Sequence, residues 1–202
     1  MTSSPPRRGR PPVSSREALE EIAFDLLLRD GYEATTVQAI MAAGGVGRTT
    51  FFRYFGSKGG IVWGEFDRAV ERLKSRLDER GETPVMAAIL TAVAESTRLS
   101  REAAPDTWLD RFRVLDEDPA LRGESAEHWR IWAGAIAAFV EQRTQLPAES
   151  VVPASIGGAV QAAYVAVLRQ WVADPAAVDL SQLETRLAPL GQALQALLEA
   201  SV

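Results

Sequence analysis

Apolar residues recur at helical spacing almost from the start of the chain. Leu19, Ile22, Ala23, Leu26 and Leu27 share one face of a 3.6-residue repeat. Ser14 or Ser15 offers an N-cap and Gly31 a stop, which together predict a helix over residues 15–30. A short helix follows the Thr35-Thr36 cap and turns Val37, Ile40 and Met41 inward. Another runs from about Gly47 to Tyr54, after the turn Gly44-Gly45-Val46. Ser57 caps a longer helix that carries Ile61, Phe66, Val70, Leu73 and Leu77 out to about Arg80.

Beyond Gly81 the pattern stays helical, and Pro84, Pro105, Pro119, Pro147, Pro153 and Pro175 fall at first turns or breaks. No strand alternation is visible, so the fold class is all-α. Near the end, Leu180, Leu183, Leu187, Leu190, Leu194 and Leu197 alternate spacings of three and four, a seam for another helix that Pro189 should kink or start late. Val151 to Leu168 carries no charge, at the lower limit of a membrane span. Pro153, Ser155, Gly157, Gly158 and Gln161 dilute it, and a buried interface helix is the expectation, with no membrane partner.

Charge changes the picture by its distribution. The 202 residues carry a net −5, yet residues 1–60 carry +2 and residues 61–202 carry −7. No acidic residue precedes Glu17, where Arg7, Arg8, Arg10 and Arg16 sit. None lies between Glu33 and Glu65, a window holding Arg48, Arg53 and Lys58. A cationic N-terminal third on an acidic body suits a steered polyanion binder. Residues 1–14 read as a disordered basic arm without the apolar core of a signal peptide. The chain has no cysteine and one histidine, so no metal site or cofactor is expected, and the address is cytoplasmic.

Three short helices with a glycine turn between the second and third form a helix-turn-helix candidate in residues 15–60. Arg48, Thr49 and Thr50 would open its exposed third helix. Arginine can bind guanine bidentately in a major groove, and threonine can bond a base or phosphate and set its methyl against thymine. Arg53 and Tyr54 extend that surface. Thr36 and Lys58 are placed to hold phosphates, one by a hydroxyl at a helix start and the other by charge.

The run from Gly31 to Ile61, GYEATTVQAIMAAGGVGRTTFFRYFGSKGGI, resembles the TetR family of repressors. Ala43, Gly45, Val46, Thr50, Phe55, Ser57 and Lys58 fall where that family's pattern wants them. The chain departs from it at four places. Phe52 stands where a phosphate-binding Tyr is usual, Gly47 replaces a Ser or Thr cap, Tyr54 replaces His, and Gly59-Gly60 replaces an acidic pair, which implies a more mobile start to the next helix. The run RTTFFRYFGSKGGIVWGEFD, with P-A-L at Pro119 to Leu121 and R-x-W at Arg169 to Trp171, is similar to the actinobacterial regulators associated with the mycofactocin system. That resemblance implies a long-chain acyl-CoA effector.

It also implies a ligand-binding and dimerisation domain over residues 61–202. Phe66, Trp108, Phe112, Leu115, Trp132, Tyr164 and Trp171 are the candidate lining of its pocket for a hydrophobic small molecule, with core packing as the alternative role of each. Arg98, Arg101, Arg111, Arg113 or Arg169 could meet a charged headgroup, with a solvated surface position as the alternative role of each, and His128 reads as a surface or packing residue. Small residues from Gly157 to Ala166 and the leucine seam give two helices able to pair across a two-fold axis. A homodimer on a palindromic duplex follows.

No partnered nucleophile, paired-carboxylate motif or phosphate-cradling loop is present, so the chain is not expected to be an enzyme. The expected function is a transcriptional repressor on double-stranded DNA. The alternatives are an activator of the same fold and a helical adaptor without DNA binding, which would show no salt-sensitive duplex binding.

Overall fold

The computed structural model describes residues 15–201, all of whose regular elements are helical. The basic arm, residues 1–14, lies outside the described residues. Two compact units separate between Val62 and Trp63.

The first unit contains α1 (Arg16–Asp30), α2 (Val37–Gly44), α3 (Arg48–Phe55) and the start of α4 (Gly59–Asp78). Ser15 caps α1 by accepting the Ala18 N–H at 3.1 Å, and Thr36 caps α2 by accepting that of Ala39 at 3.1 Å. The unit's base is small and apolar: Leu19, Ala23, Phe24 and Leu27 of α1, Ile40 of α2, Phe51 and Phe55 of α3, and Ile61 are buried. Ile22, Leu26, Val37 and Met41 sit at its edge, only half-buried. Phe51 and Phe55, one turn apart, pack their rings at 5.5 Å and anchor one face of α3.

The second unit is built from the rest of α4 with α5 (Val85–Ala103), α6 (Trp108–Glu117), α7 (Arg122–Arg143), α8 (Val152–Ala173) and α9 (Leu183–Glu199). A 3-10 turn over Pro119–Leu121 leads into α7, and two more, Pro175–Ala177 and Leu180–Gln182, join α8 to α9. α7 and α8 form the most extensive pairing. They cross so closely that a Cβ on Gly157 would lie 2.4 Å from the Ala133 carbonyl oxygen, so this crossing requires glycine. With Arg169 as its one charged residue, α8 is long and apolar enough to cross a membrane by composition. Ile156, Val160, Tyr164, Leu168 and Trp171 instead bury its inner face against α6, α7 and α9.

The leucine seam of the last helix is corrected in detail. Leu183, Leu187, Gly191, Leu194 and Leu198 are the buried positions, Leu190 is half-buried and Leu197 is 44% exposed. Leu180 falls in the 3-10 turn before the helix. The spacing of 4, 4, 3 and 4 follows one α-helical face, and Leu197 lies beyond its edge. Pro189 neither ends nor delays α9: it sits inside the helix on the exposed side. The Thr185 carbonyl that its missing N–H would have engaged likewise belongs to an exposed residue.

Candidate nucleic-acid interface and ligand groove

On α3 the buried phenyl rings fix which residues face outward. Arg48, Thr49, Phe52 and Arg53 are exposed, with Thr50 and Tyr54 half-buried beside them. Positions i, i+1, i+4 and i+5 make one continuous face, so this helix offers two cations, hydroxyls and an aromatic ring together. The Arg48 guanidinium lies over the Phe52 ring at 5.2 Å, and that of Arg53 lies over Tyr54 at 5.2 Å. Phe52, noted in the sequence only for a missing hydroxyl, thus supports Arg48 as a platform. Their i, i+4 spacing was the available signal. Gly47 makes no side-chain cap, so the amides opening α3 are not answered from that position.

Thr36 is exposed at the start of α2. Its hydroxyl oxygen accepts the Ala39 N–H, which leaves its own O–H free to donate. Lys58 is half-buried at the turn before α4. Its ammonium donates to the backbone carbonyls of Tyr32 at 2.7 Å and Thr35 at 3.1 Å, and lies 4.0 Å from the Tyr32 ring centroid.

At the start of α4, Gly60 has a packing reason. A Cβ on Gly60 would stand 1.9 Å from the Phe55 carbonyl oxygen, so the glycine is demanded by a tight α3–α4 turn. The Gly60 N–H donates to Ser57 Oγ at 3.0 Å and fixes that turn further.

In the second unit the seven candidate pocket residues are drawn into packed clusters. Phe112, Leu115, Trp132, Tyr164 and Trp171 are buried, while Phe66 and Trp108 are half-buried. Trp132 stacks on Tyr164 at 5.3 Å and 7°. The Tyr164 hydroxyl pairs with Thr97 Oγ1 at 2.8 Å, and burial pushes the phenol up to about 12, slightly opposed by that bond. Trp108 meets Trp171 edge-on at 6.1 Å, and the buried Trp171 indole N–H finds no hydrogen-bond acceptor among the described residues.

A groove of about 790 Å³ opens between α7 and α8, and none of the seven residues lines it. Small residues of α7 (Ala126, Ala133, Gly134, Ala137) and of α8 (Ala154, Gly158) line it beside Trp129 and Val165, with Arg122, Arg130 and Arg169 as its cations. Sequence reasoning missed Arg122 and Arg130. The signal was the helical spacing of small side chains on α7, which leaves room where larger ones would close the cleft. Arg169 makes a bidentate pair with Asp116, both bonds at 2.7 Å, and that hydrogen bonding raises its pKa.

Trp129 joins the groove to the aromatic cluster. Its ring lies 4.9 Å from Phe66, 5.8 Å from Trp132, 6.3 Å from Tyr164 and 6.4 Å from Phe112. On the other side of Phe66, Trp63 of α4 donates its indole N–H to Glu124 at 2.6 Å and stacks on His128 at 3.9 Å. His128 in turn bonds Asp67 at 3.1 Å, which makes it a packing residue between α4 and α7.

Comparison with known proteins agrees with both units. Residues 21–62 match the family model described as bacterial regulatory proteins, tetR family, and residues 83–195 match the MftR C-terminal domain. The chain is 25% identical over 168 residues to a Mycobacterium tuberculosis protein named as mycofactocin biosynthesis transcriptional regulator MftR, covering 83% of this chain and 85% of that one. It is 29% identical over 147 residues to the HTH-type transcriptional regulator TcmR of Streptomyces glaucescens, covering 70% and 65%. Among solved structures, NalD of Pseudomonas aeruginosa, the secondary repressor of the MexAB-OprM multidrug efflux pump, superposes with a TM-score of 0.61. The identity there is 19%, over 88% of this chain and 93% of that one, and the likeness speaks to fold alone.

Proposed function

Because the chain belongs to the TetR family of transcriptional regulators and is MftR-like in its C-terminal domain, we propose that it is a homodimeric repressor released from a palindromic operator by a hydrophobic effector. The observation that carries the reading is the outward face of α3, on which Arg48, Thr49, Phe52 and Arg53 are exposed over the buried Phe51 and Phe55. In that reading Arg48 bonds a guanine edge, Thr49 and Thr50 read a neighbouring base or phosphate, and Arg53, Tyr54 and Thr36 hold backbone phosphates. Two such helices in a dimer meet successive major grooves about one turn apart.

The effector site we favour is the α7–α8 groove. Its volume suits an acyl chain or ring system, and Arg122, Arg130 and Arg169 suit an anionic headgroup, as in a long-chain acyl-CoA. A chain pressed against Trp129 would reach Phe66, Phe112, Trp132 and Tyr164 through direct ring contact. Release then follows if the effector binds better to a state whose recognition helices no longer match the operator spacing.

The test is fluorescence anisotropy of the full chain on the duplex upstream of its own coding region, in a salt series, with and without oleoyl-CoA. Salt-sensitive binding reversed by oleoyl-CoA is the expected result. Binding indifferent to it would discard that effector class, and salt-insensitive or absent binding to every duplex in a random-sequence selection would discard the DNA-binding role.

A further inference from the structure

We infer that the chain carries a second DNA-reading element outside the helix-turn-helix: Arg8 and Arg10, set on either side of Gly9, enter a minor groove beside the major groove met by α3 and favour A·T pairs there. This rests on the DNA-binding reading above. The arm, residues 1–14, holds Arg7, Arg8 and Arg10 and no acidic residue, the first acid being Glu17. Cations alone would follow phosphates without regard to sequence. What points to the groove floor is their setting, Pro5-Pro6-Arg7-Arg8-Gly9-Arg10-Pro11-Pro12.

Gly9 adds no side chain, so the backbone between the two arginines can lie against the floor of a groove only about 6 Å wide. The paired prolines on each side disfavour a helix, which that groove is too narrow to admit. Both guanidiniums are donors. They suit the adenine N3 and thymine O2 acceptors on the floor of an A·T groove, whose narrowness also deepens its negative potential. The guanine N2 amine, itself a donor, opposes them.

The folded unit fixes the root of the arm. Ser15 caps α1, and Arg16, the first residue of α1, sets its guanidinium over the ring of Phe55, the last residue of α3, at 5.5 Å. Phe55 is buried, so the start of α1 is held to the end of α3. The arm is therefore rooted beside the recognition helix, on the unit that exposes Arg48 and Arg53. The six-residue step from Arg16 back to Arg10 reaches up to about 20 Å when extended. A minor groove lies half a helical turn, about 17 Å, from the major groove beside it. The length of the arm and the point at which it joins the fold match that distance.

The test is anisotropy of the full chain on three duplexes that share the preferred operator core and differ in the pairs adjoining each half-site, which are A·T, G·C or inosine·cytosine. An inosine·cytosine pair lacks the N2 amine, so its minor groove resembles A·T while its major groove keeps the G·C pattern. Wild type is expected to bind the A·T and inosine·cytosine duplexes alike, at least about tenfold tighter than the G·C duplex. R8A/R10A and G9V, both changed ahead of the Ser15 cap, are expected to bind all three alike, although G9V keeps every charge. R48A is expected to lose core affinity and keep the flank preference. Equal wild-type affinity for the three duplexes, a preference that survives in R8A/R10A or in G9V, or an inosine·cytosine duplex that behaves as G·C overturns the proposal and leaves the DNA-binding reading standing. A wild-type chain that binds no duplex overturns both.

Discussion

Tyr164 is neutral between Thr97 and the stacked Trp132, and its burial sets a pH limit on the second unit. The folded phenol is raised to about 12 from the ordinary 10, so the folded state holds the proton more tightly than the unfolded one. Its contribution is therefore fully present below pH 10 and is lost as pH rises toward 12, by about 2–3 kcal/mol in all. Chemical unfolding of wild type and Y164F across that range should cross, leaving wild type the less stable by about 1–2 kcal/mol at the alkaline end. At pH 7 the variant is expected to lose about 1 kcal/mol for the hydroxyl bond; parallel curves would place the phenol in water. Arg48 carries the residue-scale prediction for the other unit. R48A should cost about 1–3 kcal/mol on the preferred operator and relax the preference at one base pair. Equal losses on preferred and random duplexes would remove its base-reading role.

At the scale of elements, the turn between α3 and α4 is the most constrained piece of the first unit. G60A would force a methyl group to within 1.9 Å of the Phe55 carbonyl oxygen, a backbone atom that cannot swing away. Thermal unfolding should therefore show G60A destabilised by more than the ordinary helix preference of alanine over glycine, about 1 kcal/mol, could offset. A rise in melting temperature would mean that the turn is as loose as its two glycines suggest. The contrast with Pro189 in α9 is instructive. A residue type that usually breaks a helix stands there on the exposed side, as does Thr185, whose carbonyl it leaves without its helical donor.

At the scale of the whole molecule, the proposed dimer is checked through the faces that α8 and α9 leave uncovered. Ala162 and Ala166 on α8 and Ala193, Ala196 and Leu197 on α9 are exposed, a small and apolar set unlike a solvated helix surface. A chain carrying A162E and L197E should sediment as a monomer with unchanged helical content and lose most of its operator affinity. A dimer that survives both changes would put the interface elsewhere.

How much of this was legible in the chain depends on the range of the interaction involved. Helix starts at Ser15 and Thr36 were readable because a cap and its amide are three residues apart. The outward face of α3 was readable because Phe51 and Phe55 fix its rotation within one turn. The sequence by itself thus determined the all-helical class, the helix-turn-helix and the family. Only the tertiary structure decided what long-range neighbours decide: that Lys58 turns to carbonyls 26 and 23 residues earlier, that the aromatic candidates close on one another, and that small residues of α7 and α8 leave a groove between them. Spacing along one helix gives the direction of a side chain, but not which other element stands in its path.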